Sequence, residues 1–549
     1  MSETTNLYIT PLSPIHMGTG EDYQPTNYVI DDGVLYEFDS MQAMQVLPDV
    51  EKNKLNQILS RSANPDTLKS LQSFFYSNKD RLKAIAKRNV KVNESVEQFY
   101  KKRVGKTVQY ESRGVRVQNK LEIGRTAWNP ISDKNYLVGS GIKGAIRTAL
   151  LDKENNGRHQ NLDPRKDNNR LQKELFQGSF DTDPLRLVSI ADAMPAYKNI
   201  MSEIVFELNK KKSPVKNKQG QLVESQANKS GIALLLEVIS PFQRHSFISK
   251  MSAKKINGDR NKIPAIQYTV KEICQACNQY FIPILLNEMQ TLTDRGFVDS
   301  DWRDQIKKIT HLEAINNNTA CIVRIGRHSG AESMTINGVR KIKIMQGKGD
   351  KAKYMDKTTT IWLASQFESN QRDLIPFGWA LLELGDTNFM KIPNNNEKYQ
   401  QWFQDIDDNN KQTKLRIAEQ IALQEKAEED RILKKKQLRE AEKQAKIDTE
   451  RKQAEFDALP ESAKKYAHLQ KQLEAFSHGV TKNNYAELVR NINEYLAEAQ
   501  NWTVDERQKA AENSESIYTQ YGWGQPGLKA PQKRKQEAKK RQQLQDLLK

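Results

Sequence analysis

The chain has 549 residues, with 86 Lys and Arg against 69 Asp and Glu, which gives a formal net charge of +17 at pH 7. A charge excess of this size points to a polyanionic partner, nucleic acid first and an acidic membrane face second. Three cysteines are too few for a disulfide framework and favour a reducing cytoplasm, no apolar run approaches the roughly 18 residues that cross a bilayer, and the polar, acidic N-terminus is not typical of a signal peptide.

The first 390 residues alternate short strand-like and helical stretches, which predicts an α+β fold with units of split βαβ type. Asp31-Asp32-Gly33 has the chemistry of a tight turn between two strands. Helices are predicted over 66–90, 142–151 and 266–293, and further strands over 186–191, 204–208, 232–239, 321–325 and 380–384.

Residues 394–459 contain neither Gly nor Pro, and from Lys414 onward they are mostly strong helix formers. Because the apolar positions keep no strict heptad, the pattern favours a solvated single helix over a long coiled coil. Three amphipathic helices (461–476, 483–500 and 504–518) and a basic helix (532–549) are predicted beyond it. Residues 411–549 carry 28 basic and 22 acidic side chains, a net +6, and the remaining +11 lies in residues 1–410.

Three glycine-rich segments, at 14–20, 138–147 and 324–330, stand out as candidates for chemistry. In the second, glycines precede a helix, so the backbone can approach a phosphate and the first N–H groups can point at it. Lys143 and Arg147, one turn apart, can project on one face. The spacing is not that of a Walker A loop, and a glycine-cushioned helix with a merely solvated Lys143 is the alternative.

The third segment places cations within and after a strand, with more of them shortly downstream. A loop rimmed by Arg324, Arg327, His328 and Lys341 suits a bent nucleic-acid backbone, although a solvated basic hairpin explains the same residues equally well. The basic residues of 101–120, interleaved with Tyr100 and Tyr110, indicate another RNA-facing loop, and the lysines of 210–218 either grip RNA or form a solvated insertion.

A metal site is weighed at Cys274 and Cys277, which have the spacing of half a zinc site. No second pair of ligands follows, and the segment is predicted to be the interior of a helix, where two thiols pack as small apolar groups. We therefore expect no metal and no cofactor.

Four segments of the sequence, taken in order, resemble the RAMP proteins of CRISPR effector complexes, and among them the family of fifth Csm subunits of type III-A systems. The segments that carry the resemblance are 9–20 (ITPLSPIHMGTG) with 28–31 (YVID), 136–150 (YLVGSGIKGAIRTAL), 324–330 (RIGRHSG) and 374–380 (LIPFGWA). Together they cover roughly residues 5–390. The chain after about residue 400 has no counterpart in that pattern.

The resemblance implies two ferredoxin-like (RRM-related) RAMP domains, followed here by a long helix and a small all-α C-terminal region. The boundaries that we expect are 1–185 for an N-terminal RAMP domain with a helical insertion, 186–393 for the C-terminal RAMP domain, 394–460 for the long helix, 461–527 for the small helical domain and 528–549 for the basic tail. It also implies a crRNA-binding subunit that caps the backbone of a Csm complex at the crRNA 3′ end and supports crRNA maturation. The residues predicted to contact RNA are His16, Gly18, Gly20, Ser140, Lys143, Arg147, Arg324, Arg327, His328 and Lys341.

The main alternative is a metal-independent RAMP endoribonuclease that processes crRNA itself. His16 is then the candidate general acid or base, although no second basic partner is identifiable in the sequence. Asp31 and Asp32 are weaker candidates for the loop aspartate with which backbone subunits cut target RNA, because Asp-Gly in a hairpin is explained by turn chemistry. A third hypothesis makes the chain mainly a scaffold whose long helix recruits a host nuclease. The partners expected are crRNA, the other Csm subunits, target RNA and such a nuclease, with no membrane.

Overall fold

The computed structural model describes residues 2–106, 108–110, 116–118, 121–160, 166–216, 219–223, 234–259, 262–345, 351–385 and 394–549. The chain divides into two compact units, unit 1 (Met1–Ile421) and unit 2 (Ala422–Lys549). No helix among the described residues is long and apolar enough to cross a membrane.

The strands all lie in unit 1. In chain order they are β1 (Ser2–Pro11), β2 (Tyr28–Asp31), β3 (Val34–Glu37), β4 (Arg88–Val92), β5 (Val108–Tyr110), β6 (Arg116–Gln118), β7 (Trp128–Asn129), β8 (Lys134–Asn135), β9 (Val188–Ile190), β10 (Met194–Pro195), β11 (Ser202–Lys211), β12 (Val215–Lys216), β13 (Leu222–Val223), β14 (Leu234–Ile239), β15 (Phe247–Lys254), β16 (Ala320–Arg324), β17 (Ile342–Ile344), β18 (Lys353–Met355), β19 (Thr360–Ser365), β20 (Ile375–Pro376) and β21 (Trp379–Leu384).

The α-helices include one of exceptional length. In chain order they are α1 (Ser40–Val46), α2 (Asp49–Leu59), α3 (Pro65–Ser77), α4 (Lys79–Ala84), α5 (Glu94–Arg103), α6 (Gly139–Asn155), α7 (Asn168–Leu175), α8 (Val270–Asp294), α9 (Ser300–Thr310), α10 (Glu313–Asn316), α11 (Asn396–Asp457), α12 (Glu461–Leu473), α13 (Tyr485–Ala499), α14 (Val504–Tyr521) and α15 (Ala530–Leu547). Short 3₁₀ turns cover Pro184–Arg186, Ala331–Met334 and Glu474–Phe476.

The first sheet of unit 1 is antiparallel, with strand order β10–β15–β1–β21–β16 and with β9 also paired to β15. Helices α6 and α8 pack on each other and on this sheet, where they enclose the largest apolar core. The order β1, α6, β9, β15, α8 follows the alternation expected of a ferredoxin-like unit. The strand that follows α8 in the chain, β16, does not pair with β1. β21 lies between these two strands.

The second sheet has the order β2–β3–β4–β11–β19–β20, with β14 paired to β11 and a parallel contact between β4 and β11. Both of its faces are covered. On β2, Tyr28 and Ile30 face a core shared with α5, whereas Val29 between them faces a core shared with α1, α3 and α4. Successive strand side chains point to opposite faces, so a strand covered on both sides is apolar throughout.

The pairing of β1 with β15 and β21 joins the first residues of the chain to strands more than 230 residues away. The second sheet likewise contains strands from both sides of residue 185. The boundary expected at residue 185 therefore falls between strands that belong to the same sheets. The α+β class with a long helix and a small all-α C-terminal region is confirmed.

The turn between β2 and β3 forms as expected, with Asp32 and Gly33 both at positive φ (51° and 74°). The helix predicted over 66–90 is wrong at its end, because α4 stops at Ala84 and β4 begins at Arg88. There the alternation of buried and half-buried residues over Arg88–Val92 fits a strand, and pairing with β3 outweighs helix propensity.

Unit 2 is a small helical domain whose apolar core is formed by α12 to α15. A capping box of Thr503 and Glu506 fixes the beginning of α14. In α11 the only buried residue is Ile417, and large apolar residues such as Leu423 and Ile432 are exposed. The prediction of a solvated long helix is confirmed, and α11 (Asn396–Asp457) lies close to the expected range 394–460.

Candidate nucleic-acid interface

The first and third glycine segments meet at the main chain of His16. Arg327 N donates to the carbonyl oxygen of His16 at 2.8 Å. Gly326 has a φ of +83°, and a Cβ there would lie less than 3.0 Å from the same oxygen. Glycine is therefore required at 326 both by its backbone conformation and by the closeness of the two chains.

The second glycine segment meets the first at Met17. A Cβ on Gly141 would lie less than 3.0 Å from the Met17 methyl group, so glycine lets the beginning of α6 approach this side chain. The N–H of Gly139 donates to Asp192 Oδ1 at 2.7 Å. One of the free N–H groups at which a phosphate was expected thus already has a carboxylate acceptor.

The fourth segment, 374–380, closes the cluster. Gly378 N donates to Pro14 O at 2.9 Å, and Gly378 O accepts from Ile325 N at 2.8 Å. Gly378 has a φ of +91°, and a Cβ there would collide with the carbonyl oxygen of Ile325. Four segments spread over more than 360 residues of sequence therefore form one backbone assembly, which we call the glycine junction: residues 14–18, 139–141, 325–327 and 378.

The surface of the glycine junction is a loop of the first segment. Gly18 is exposed and forms a bridge with Thr126, while Gly20 is exposed at a φ of +87° with open space around it. Ser140, in the first turn of α6, is also exposed. These three residues therefore lie at the surface, where a large ligand can reach them.

Six of the residues predicted to contact RNA carry basic side chains, and they differ in how many partners they already have within the protein. They are Lys143, Arg147, Arg324, Arg327, His328 and Lys341. Lys143 is half-exposed and makes no hydrogen bond or ion pair with any described residue. The Arg327 side chain is 48% exposed and reaches Glu207 at 3.2 Å. Arg147 forms a two-pronged pair with Asp183, at 2.6 and 3.2 Å, and its side chain is 32% exposed.

Arg324 is buried beneath the junction. Its side chain is 2% exposed, pairs with Glu288 at 2.7 Å, donates from Nε to Phe377 O at 2.9 Å and lies over the Trp379 ring. Trp379 Nε1 donates to the other oxygen of Glu288. This arrangement holds the end of β16 and leaves Arg324 no surface on which to meet a ligand directly.

His328 is largely buried as well. Its Nε2 pairs with Glu207 Oε2, and its ring stacks on Trp362 with centroids 4.6 Å apart. Its φ is +64°, an uncommon conformation for a residue other than glycine. Glu207 thus holds both His328 and Arg327 at the edge of the loop, and Arg327 is the member of the pair that faces solvent.

His16 is 3% exposed, and its Nδ1 lies 2.7 Å from the carbonyl oxygen of Glu237. A carbonyl only accepts, so Nδ1 carries the proton and Nε2 has a free lone pair. Burial lowers the pKa of His16, although the hydrogen bond to Glu237 and the charges of Glu237 and Glu207 oppose the shift. His16 is therefore neutral at pH 7.

The weaker catalytic candidates have structural partners. Asp31 is buried between Lys79 and Lys83, and Lys83 also pairs with Asp32. Burial alone would raise the pKa of Asp31, but its hydrogen bonds with Lys79 and Lys83 hold that pKa below its ordinary value. Both aspartates thus serve the turn between β2 and β3, as turn chemistry indicates.

The structure contains a set of buried carboxylates that are not among the residues predicted from the sequence. Glu237 on β14 is fully buried and accepts from Tyr23 Oη at 3.0 Å and from Thr126 N at 3.2 Å, besides pairing with Arg88. Arg125 pairs with Glu37 at 3.0 Å nearby. A glutamate inside an apolar strand, as in LLLEVI, was the signal that could have revealed them.

Other basic patches are partly engaged or lie outside the described residues. In the 101–120 patch, Lys101 pairs with Glu97, and Arg113 and Lys120 are not among the described residues. In the 210–218 patch, Lys212 pairs with Glu332 at 2.7 Å, and Lys218 is not described.

The cysteines lie in the core, as two small apolar groups on a helix were expected to do. Cys274 and Cys277 are buried in α8, and the third thiol, Cys321 on β16, is in contact with both. Its contact with Cys321 and burial both raise the pKa of Cys274, which keeps that thiol protonated. Among the described residues no group of three or more potential ligands is arranged to hold a metal ion.

Comparison with known proteins gives one family model and a number of similar solved structures, among them the following two. The family model described as the RAMP superfamily matches residues 8–327. A chain of the cryo-EM structure of a Csm–crRNA–target RNA ternary complex from a type III-A CRISPR–Cas system is similar, with 16% identity and a TM-score of 0.43 over 69% of this chain and 100% of that one. The crystal structure of T. onnurineus Csm5 is 15% identical, with a TM-score of 0.42 over 68% of this chain and 99% of that one. No curated protein sequence matches the chain.

Proposed function

The chain belongs to the RAMP superfamily, and from that premise we propose that it is a crRNA-binding structural subunit of a type III-A CRISPR interference complex in the cytoplasm. In this role it caps the backbone of the complex at the crRNA 3′ end and supports crRNA maturation. Its partners are crRNA, the other Csm subunits and target RNA, and a host nuclease is the partner proposed for the long helix. The order of the four segments that resemble fifth Csm subunits supports this assignment.

The observation that carries the proposal is the glycine junction. Four segments with long sequence separation are held together by main-chain contacts that only glycine permits at Gly326 and Gly378. A backbone assembly this constrained holds the exposed residues Gly18 and Gly20 in a fixed loop, where the sugar–phosphate chain of RNA can meet the main chain.

At the junction and in the residues beside it, we assign direct RNA contact to the groups that are accessible. Lys143 and Arg327 supply charge to phosphates, and Ser140, Gly18 and Gly20 supply hydroxyl and main-chain groups. His16, Arg324 and His328 support the loop from below, because their side chains are buried. Arg147 and Lys341 line a separate cavity between α6, α7 and the segment 334–341.

The test uses complexes purified with their crRNA. Replacing Lys143 and Arg327 with Gln should lower the amount of bound crRNA and alter its length at the 3′ end. The matched control is the pair Lys52 and Lys54, which are both paired to carboxylates on α2 and give the same loss of two charges. Unchanged crRNA content and length in the Lys143/Arg327 variant would contradict the proposal.

The alternative function is a RAMP endoribonuclease, and one observation favours it. His16 Nε2 is an unprotonated nitrogen, and Arg327 and Glu207 lie close enough for their charges to act on the ring. A neutral imidazole can accept a proton from a ribose 2′-hydroxyl as a general base. The isolated chain would then cut RNA without metal, and His16→Ala would abolish the cutting. If the intact chain leaves RNA uncut, this alternative is excluded.

A further inference from the structure

A cavity of about 350 Å³ lies on the far part of α6 and does not include the glycine junction. Its size is near the lower end of the range for small-molecule sites, about 300–1,000 Å³. Helix α6, helix α7 and the segment 334–341 form its walls. The lining residues are Arg147, Thr148, Leu151, Asn168, Leu171, Gln172, Leu175, Met334, Thr335, Ile336, Val339, Arg340 and Lys341.

The lining combines an apolar floor with polar and cationic walls. Leu151, Leu171, Leu175 and Ile336 are buried, and they form the aliphatic part of the lining. Three of the described lining side chains are cationic and none is a carboxylate. That combination distinguishes this cavity from the one beside β3, which is lined by Glu37, Asp39 and Asp133 and by a single lysine.

The Arg147 guanidinium is fixed in place before any ligand arrives. Nη1 and Nη2 donate to Asp183, and Nε donates to Gln172 Oε1 at 3.0 Å. An arginine has five N–H groups, so two remain for an anion. Asp183 does not line the cavity, and it therefore orients the arginine from behind.

The second guanidinium, that of Arg340, is also held rigidly. It donates to Thr335 Oγ1 at 2.9 Å and to the carbonyl oxygens of Glu332 and Thr335 at 3.1 and 2.9 Å. Two immobilised guanidinium groups with a neighbouring Lys341 suit a phosphate, which arginine binds through planar forks. Gln172 Nε2 donates to Asn168 Oδ1 at 3.2 Å, and the remaining N–H groups of these two amides are donors of the kind that read a base edge.

We propose that this cavity binds one nucleoside monophosphate, with the phosphate at Arg147, Arg340 and Lys341 and the base on the aliphatic floor. The same chemistry is offered by a free nucleotide and by the terminal nucleotide of an RNA. Where the source is an RNA end, this proposal rests on the proposed RNA-binding function. The proposed function describes a surface that binds the RNA backbone, and this proposal adds a pocket that binds a single nucleotide.

The test titrates the full chain with adenosine monophosphate in a calorimeter. We expect saturable binding that Thr148→Phe, which fills the cavity, abolishes and that Thr148→Val leaves intact. Lys341→Glu should weaken binding by about tenfold or more, because a charge-assisted contact becomes a repulsion. Lys343→Glu is the matched control, since Lys343 is two residues away, exposed and outside the cavity lining. Absence of binding, or binding that Thr148→Phe does not change, overturns the proposal.

A competition experiment distinguishes the two sources of the ligand. Linear and circular RNAs of one sequence are used to displace adenosine monophosphate. Displacement by the linear form alone identifies an RNA end, and displacement by neither identifies a free nucleotide. Displacement by both forms contradicts a pocket for one terminal residue. Loss of nucleotide binding with crRNA retention intact defeats only the pocket, whereas nucleotide binding without crRNA retention defeats only the proposed function.

Discussion

The two units of the molecule differ in the charged side chains that they bury. Unit 1 buries several carboxylates, including Glu237, Glu288 and Glu383, and each has a charged or hydrogen-bonding partner. In unit 2, all of which is described, no carboxylate is buried, and the core is aliphatic and aromatic. Its one buried charged side chain, Lys540, lies over the rings of Tyr485 and Tyr518.

The difference follows from what each unit has to hold. Unit 1 fixes loops from distant parts of the chain in positive-φ conformations, and buried ion pairs beneath those loops specify where each one lies. Unit 2 only has to pack four amphipathic helices, for which an apolar stripe on each is sufficient. Buried ion pairs are thus concentrated in unit 1, which contains the proposed RNA-binding surface.

The largest effect is expected when one member of a buried pair is removed. Arg324→Met should destabilise unit 1 by about 3–5 kcal/mol, because Glu288 is left as an uncompensated buried charge. Adding Glu288→Met should recover part of the loss. Arg490→Met in unit 2 breaks only exposed pairs and should cost less than about 1 kcal/mol. Denaturant unfolding measures all three, and equal costs for Arg324 and Arg490 would erase the contrast between the units.

A core truncation in unit 2 should act on that unit alone. Leu488 is fully buried, so Leu488→Ala should cost about 2–5 kcal/mol through lost burial and the cavity that it leaves. Calorimetry should then show one transition moved to lower temperature and the transition of unit 1 unchanged. Leu423→Ala, at a side chain that is 69% exposed on α11, is the control and should move neither transition. A shift of both transitions by Leu488→Ala would show that the two units do not unfold separately.

Two glycines of similar φ separate backbone strain from close approach. Gly20 and Gly326 have φ values of +87° and +83°, but only at Gly326 would a Cβ meet main chain. Both substitutions to Ala carry the strain of about 1–2 kcal/mol, and Gly326→Ala should cost about 1–3 kcal/mol more for the collision with His16 O. Equal stabilities of the two variants would mean that the glycine junction is looser than described.

An acid-dependent contribution is expected from Glu332. Burial opposes ionisation, but the Lys212 ammonium and the Thr358 hydrogen bonds lower the pKa of Glu332 from 4.5 to about 2. The unfolded chain therefore binds this proton more readily, and the stability contributed at neutral pH is lost as the pH falls from 4.5 to about 2. Glu332→Gln should flatten the stability profile of unit 1 over that range. Glu450→Gln, at an exposed position on α11, should leave the profile unchanged.

The sequence was most informative where structure is local. The helices of unit 2 lie within a few residues of their predicted bounds, because amphipathic period and capping act over single turns. The hairpin at Asp31-Asp32-Gly33 was predictable for the same reason. β4 was mistaken for helix because its identity depends on pairing with β3, which no local pattern reveals.

The segments that form the candidate site could be identified in the sequence. The contacts between those segments could not. The order of four segments, three of them glycine-rich, pointed to one function, but their meeting at Pro14, His16 and Met17 depends on the topology of the sheets. Arg324 looked like a phosphate ligand, and its partner Glu288 is 36 residues away on α8. Which cations are engaged and which are accessible follows from these long-range partners. The RNA contacts of individual residues stay predictions.

The central claim is that accessible cations at the glycine junction bind the RNA backbone, and salt dependence tests it most directly. The affinity of the full chain for a single-stranded RNA is measured over a range of salt concentrations for the original protein, Lys143→Gln with Arg327→Gln, and the control Lys52→Gln with Lys54→Gln. Each lost phosphate contact lowers the slope of log affinity against log salt by about 0.7, so the junction variant should lose about 1.4. The control should keep the original slope. Identical slopes for the junction variant and the original protein would contradict the account.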